Sequence, residues 1–160
     1  MSKVVPRQKP GKSKQDYETP SDLIHAIGVE FSAVFSVDLA ANAVNRKITR
    51  YLGPGSEYGE DSLAVDWAKF SGDAWCNPPF ADIEPWAKKC ATTVRSGRIF
   101  LLTPASVGSN WYLAHVHGRA HVVAISPRVT FVGAADPYPK DLIVSVWSVI
   151  RGGFSCWRWK

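Results

Sequence analysis

The chain has no apolar run of about 18 residues or more, the length that a membrane-crossing helix needs, and no export signal follows Met1. Nothing therefore marks it for a membrane, and the expected location is the cytosol. Cysteine is scarce. Cys76, Cys90 and Cys156 are odd in number, widely spaced and set among apolar neighbours, which disfavours a disulfide framework or a cysteine zinc site and predicts reduced core thiols. Acidic residues are missing from residues 1–15, which hold Lys3, Arg7, Lys9, Lys12 and Lys14. The remaining 145 residues balance 14 cations against 14 anions, so the net charge of +5 belongs to that first stretch. With few apolar residues to bury, residues 1–15 are expected to form a flexible basic arm, which either holds nucleic acid through its phosphates or is a solvated terminus. Residues 16–160 are expected to form one domain, long enough to bury a core and free of internal repeats.

The domain reads as α/β. Thr19, Pro20 and Asp22 give a helix start, with a hydroxyl N-cap, a proline at the first helical position and an acid in the first turn; the helix runs to about Phe31. Strands are predicted over residues 34–38, 73–76, 98–103 and 121–125, and helices over 41–47, 83–96 and 110–117. The 83–96 helix carries a stripe of Ile83, Trp86, Ala87, Cys90 and Val94. Residues 142–150 and 154–159 are expected to close the sheet as an antiparallel pair turned at Gly152 and Gly153. Alternating strands and helices imply a mostly parallel sheet with antiparallel C-terminal strands, which binds ligands beyond the carboxyl ends of its strands. Asp38, Asn77 and Thr103 fall at such ends.

At the second of these ends the chain reads Asn77, Pro78, Pro79, Phe80. A residue before proline is pushed to extended backbone, and Pro79 fixes the chain and removes a donor. The Asn77 side chain and the Pro78 carbonyl are then neighbouring acceptors, a pair suited to an NH2 group. The exocyclic amine of a nucleobase is a poor nucleophile because its lone pair is delocalised. Accepting both its N–H groups favours a tetrahedral nitrogen and offsets the charge that develops as it attacks. Phe80 offers a face for a base that has left its stack. The bland alternative is a rigid strand-to-helix turn.

The tetrapeptide resembles the catalytic motif of amino-methyltransferases that use S-adenosyl-L-methionine, in the asparagine form that implies adenine. The run Tyr17, Glu18, Thr19, Pro20 is similar to a segment of DNA adenine methyltransferases. The run from Val37 to Asn42, VDLAAN, resembles the strand-end cofactor segment of the small phage-borne Dam-like family. The segments containing Glu60, Asp61, Ser62 and Leu63, then Asp66 and Trp67, then residues 98–104 and 128–131, follow that family's order. The resemblance implies a single Rossmann-like methyltransferase domain acting on DNA in a bacterial host cytosol, without metal. Asn77, Pro78, Pro79 and Phe80 are then catalytic, and Tyr17, Thr19, Pro20, Asp38, Ala40, Asn42 and Asp61 hold the cofactor. Asp38 would bind the methionine end, and the helix N-terminus after Thr19 the cofactor carboxylate.

The sequence departs from a generic cofactor fingerprint in having no G-x-G after its first strand, where Asp38, Leu39, Ala40, Ala41 and Asn42 stand instead. Asp38 has a second reading as a plain helix cap. His115, His117 and His121 lack a thiol or carboxylate at metal-ligand spacing. Trp111 either touches DNA or packs a helix, and Arg128 and Lys140 either contact phosphate or are solvated. The same amine chemistry also suits RNA bases or a protein glutamine, and the scaffold alone suits a non-catalytic nucleic-acid-binding module. No block of residues remains for a separate recognition domain.

Overall fold

A computed structural model describes residues 17–149 and 152–160, so the arm expected over residues 1–15 lies outside the described residues. The described chain runs α1 (Ser21–Glu30), β1 (Phe35–Asp38), a single 3-10 turn (Trp67–Lys69), β2 (Asp73–Cys76), α2 (Glu84–Thr92), β3 (Ile99–Pro104), α3 (Asn110–His115), β4 (His121–Ser126), β5 (Leu142–Trp147) and β6 (Phe154–Arg158). The strands form one six-stranded sheet in the order β1-β2-β3-β5-β4-β6. β1, β2 and β3 are parallel neighbours, β5 is antiparallel to both β3 and β4, and β6 is parallel to β4. Thus β5 alone opposes the other five strands.

Successive side chains of each strand serve opposite layers. Val37, Ala74, Cys76, Ile99, Leu101 and Ile143 face the side covered by Ala87 and Cys90 of α2. Trp75, Phe100, Leu102, Val144 and Val146 face Leu23 and Ile27 of α1. A helix in water can bury only one stripe, and Leu23 and Ile27, four residues apart, supply it for α1. β3 and β5 are buried along their whole length, the pattern of strands covered on both faces. Each such Leu, Ile or Phe contributes about 1.5–3 kcal/mol through burial. None of the helices among the described residues is long and apolar enough to cross a membrane.

Several local expectations are corrected. β5 and β6 do not pair with each other, because β4 lies between them, with Val122 opposite both Ser145 and Phe154. The wholly buried β5 takes an interior place, whereas β6, with alternate residues exposed, takes the edge. Residues 41–47 form turns rather than a helix. There the Asn42 carboxamide oxygen accepts from the N–H groups of Val44 and Asn45, competing with helical bonding. The N-cap of α1 is Pro20, and Thr19 instead points its hydroxyl at Asn77. α2 stops at Thr92, which leaves Val94 89% exposed and off the buried stripe. Cys76 and Cys90 are buried thiols, whereas Cys156 is exposed on the edge strand.

Candidate active site

β2 delivers the chain to Asn77 at the carboxyl edge of the sheet, where Pro78 is buried, Pro79 exposed and Phe80 half-buried. The Asn77 amide nitrogen donates to the Tyr17 carbonyl oxygen and, at 3.0 Å, to the Thr19 hydroxyl. A carbonyl oxygen can only accept, so this contact requires the nitrogen on that side and turns the Asn77 oxygen away. That oxygen is buried and has no hydrogen-bond partner among the described residues. An orphaned buried acceptor costs about 1–3 kcal/mol, which a ligand N–H would offset.

The adjoining strand end is organised by Asp38, which is 2% exposed. Its two oxygens accept from the N–H groups of Ala40, at 3.3 Å, and Lys47, at 3.0 Å. Burial pushes its carboxyl up to about 6, against the opposing pull of those two N–H groups and the Lys47 charge. Residues 50–52 run parallel to the end of β1, with Asp38 N–H donating to the Arg50 carbonyl and Leu52 N–H to the Asp38 carbonyl. Ala41 N–H donates to the Leu52 carbonyl, which brings Gly53 against Ala41. At Gly53 the backbone φ is +139°, and a Cβ would lie 2.0 Å from the Ala41 oxygen, so no other residue fits.

Between these loops lies a cleft of about 350 Å³, lined by Tyr17, residues 40–42, Asn45, residues 52–54 and 60–63, Asn77, Pro79 and Trp86. Glu60 and Asp61 are its charged lining residues, and no lysine or arginine among the described residues lines it. Leu52, Leu63 and Trp86 add apolar surface. A cleft of this size, with a few acceptors and anionic walls, suits a small, cationic, partly apolar ligand. Its wall at residues 60–63 is tied down. The Ser62 hydroxyl donates to the Leu39 carbonyl at 2.5 Å, the Trp67 indole donates to the Ser62 carbonyl at 3.0 Å, and Lys89 Nζ donates to the Leu63 carbonyl at 2.7 Å.

On the other side of the tetrapeptide is a second cleft of about 340 Å³, where Phe80 meets Trp111, Tyr138, Lys140 and the exit of β3. The Phe80 ring lies 5.5 Å from Tyr17, 5.7 Å from Tyr138 and 6.2 Å from Phe131. Trp111 also packs partly against the core. Arg128 is paired with Asp141 at 3.0 Å.

Of the residues singled out in the sequence, Tyr17, Ala40, Asn42, Asp61, Asn77 and Pro79 line the first cleft, and Phe80 lines the second. Thr19 is buried and reaches the site through Asn77, and Asp38 supports the cleft from beneath. Pro20 caps α1 without lining either cleft. The first turn of α1 carries a carboxylate of its own, since Asp22 accepts from Leu23 N–H and pairs with Lys160. Gly53, Trp86 and Lys47 join the site without having been singled out for it in the sequence, and Ser62 was named there only as part of a segment. The run Leu52, Gly53, Pro54, Gly55 was the available signal for the first, and it supplies the glycine that the β1 turn lacks. Among the described residues no group of three or more His, Cys, Asp and Glu gathers as a metal site.

A family model described as DNA N-6-adenine-methyltransferase (Dam) matches residues 7–142. No curated protein matches the chain. Among solved structures, a protein described as a predicted O-methyltransferase from Agrobacterium tumefaciens is 19% identical, with a TM-score of 0.35, over 54% of this chain and 40% of its own. Another, described as a modification subunit of a type I restriction enzyme from Vibrio vulnificus, is 13% identical, with a TM-score of 0.45, over 92% of this chain and 48% of its own. The chain thus spans less than half the length of either protein.

Proposed function

The chain belongs to the DNA N-6-adenine-methyltransferase (Dam) family, and from that premise we propose that it transfers a methyl group from S-adenosyl-L-methionine to the exocyclic amine of adenine in DNA. The observation that carries this reading is the buried, unpartnered Asn77 oxygen, beside a cleft for a cationic ligand on one side and an aromatic cleft on the other.

S-adenosyl-L-methionine, when bound, supplies an electrophilic methyl group, so the protein needs neither an activated nucleophile nor a metal. Tyr17, Ala40, Asn42 and Asp61 would hold it, with Gly53, Ser62 and Trp86 shaping the cleft. Its positive charge suits walls that carry Glu60 and Asp61. Asp38 acts from below by holding the turn that presents Ala40 and Asn42.

Asn77 and Pro78 accept the two N–H groups of the target amine, and Asn77 can do so without surrendering an existing bond. That preset geometry favours the tetrahedral nitrogen and lowers the barrier as positive charge develops. Phe80 stacks the extruded adenine, replacing part of the stacking lost from the duplex. Lys140, at the rim of the second cleft, and the five cations of residues 1–15 contact phosphates.

Parallel assays offering DNA, RNA and protein, with methyl-labelled S-adenosyl-L-methionine, test the substrate class. Label in the N6 position of DNA adenine is expected. Label confined to RNA or to glutamine would move the same chemistry to another substrate, and cofactor binding without transfer to any of the three would leave a binding module.

A further inference from the structure

We infer that Glu18 is a positioning residue, joining the first cleft to the amine acceptor through an ion pair with Lys47; this rests on the reading above. Glu18 stands between Tyr17 and Thr19, the two residues that hold the Asn77 amide. Its carboxylate accepts from Lys47 Nζ at 2.7 Å, with the lysine side chain 10% exposed and the glutamate 29%. The backbone N–H of that lysine donates to Asp38 and so closes the turn whose residues line the first cleft. The Glu18 carbonyl accepts from Val132 N–H at 3.0 Å, directly after Phe131, whose ring lies 4.9 Å from Tyr17. One residue therefore bonds to the cofactor-side turn and to the loop behind the aromatic cleft, and its two neighbours bond to Asn77.

The charge pattern fits a geometric role. Lys47 faces two carboxylates, Glu18 directly and the buried Asp38 at longer range. A pair so little exposed contributes little net stability compared with an apolar pair of the same volume, but it fixes how two segments meet. Ordering of residues 40–47 by a ligand in the first cleft is then passed to residues 17–19, and from them to Asn77. Coupling of this kind is reciprocal and of a measurable size, typically about 5- to 150-fold in affinity.

The test is the affinity for an adenine duplex with a mismatched target, measured with and without S-adenosyl-L-homocysteine, in the parent, Glu18→Gln, Lys47→Gln and the exchanged pair Glu18→Lys with Lys47→Glu. At least about fivefold tightening by the ligand is expected in the parent, little or none in either single variant, and partial recovery in the exchanged pair, where a carboxylate at position 47 also faces Asp38. Glu18→Asp keeps the charge on a shorter arm and should give an intermediate ratio, which serves if a neutral variant fails to fold. Single variants that keep the parental ratio overturn the inference, even if their melting temperatures fall. So does a parent that binds both ligands independently. A parent that binds neither ligand would instead count against the proposed function.

Discussion

The Asn77 amide nitrogen lies 3.0 Å from the Thr19 hydroxyl and also meets the Tyr17 carbonyl, so residues far apart in the chain set the direction of the Asn77 oxygen. The contact needs a donor. Asn77→Asp would set a carboxylate against the Tyr17 carbonyl, and only its protonated form could donate there. The variant should be strongly impaired at pH 8 and regain methyl transfer as pH falls, because proton uptake restores the donor. Rates measured from pH 5.5 to 8 check this, and a variant that matches the parent's pH profile would show that the donor is dispensable.

Gly53 lies against the Ala41 backbone in the lining of the first cleft. Gly53→Ala would force its Cβ toward the Ala41 oxygen in a backbone conformation that L side chains rarely adopt. Thermal unfolding should register a loss of about 2 kcal/mol or more, and calorimetry a parallel loss of S-adenosyl-L-methionine binding. An alanine variant as stable and as well bound as the parent would mean that the turn is soft.

Asp38 should leave a signature in the pH dependence of stability. Its folded carboxyl lies at about 6, against an ordinary 3.8, so the folded state holds more protons between those values. Its contribution therefore favours folding in acid and falls away as pH rises from about 4 to about 6, by roughly 3 kcal/mol in all. Urea unfolding at intervals across that window should show a decline in the parent that Asp38→Asn lacks. Identical slopes in the two proteins would place the Asp38 carboxyl near its ordinary value.

Much of this was legible because the relevant physics is local. Asp73–Cys76 is a short apolar run that stops at a proline pair, and both its bounds and its delivery of Asn77 to the sheet edge follow from that pattern. What could not be read depends on partners distant in sequence. Thr19 has the chemistry of an N-cap, but Asn77, 58 residues away, takes its hydroxyl. Residues 154–159 alternate like half of a hairpin, yet the wholly buried β5 occupies the interior place and leaves β6 beside β4. At Asp38 the sequence leaves open a cofactor ligand or a cap, and that its carboxylate accepts from backbone N–H groups at residues 40 and 47 depends on how residues 40–47 fold. The value of Gly53 depends on Ala41, across a turn that no periodicity announces.

Phe80 is shared between a core and a surface. It touches Tyr17, Phe131 and Tyr138, yet lines the second cleft. Phe80→Ala should lose about 1–2 kcal/mol of stability from the aromatic cluster and about 5- to 150-fold in methylation efficiency from lost stacking. A target adenine opposite a mismatch is easier to extrude and should recover part of the second loss but none of the first. Phe80→Tyr should remain active. If the mismatch brings no recovery, the ring serves only the core.

If the Asn77 oxygen orients an adenine amine for methyl transfer, removing it should remove the modification. Sequencing that reports modified adenines, on DNA co-expressed with the parent or with Asn77→Ala, tests it directly. The parent should leave N6-methyladenine in DNA, and the alanine variant, at matched expression and with its folding checked by thermal unfolding, should leave at least about 100-fold less. Equal methylation by a folded Asn77→Ala protein, or no modified adenine from the parent, would mean that the Asn77 oxygen has no such role.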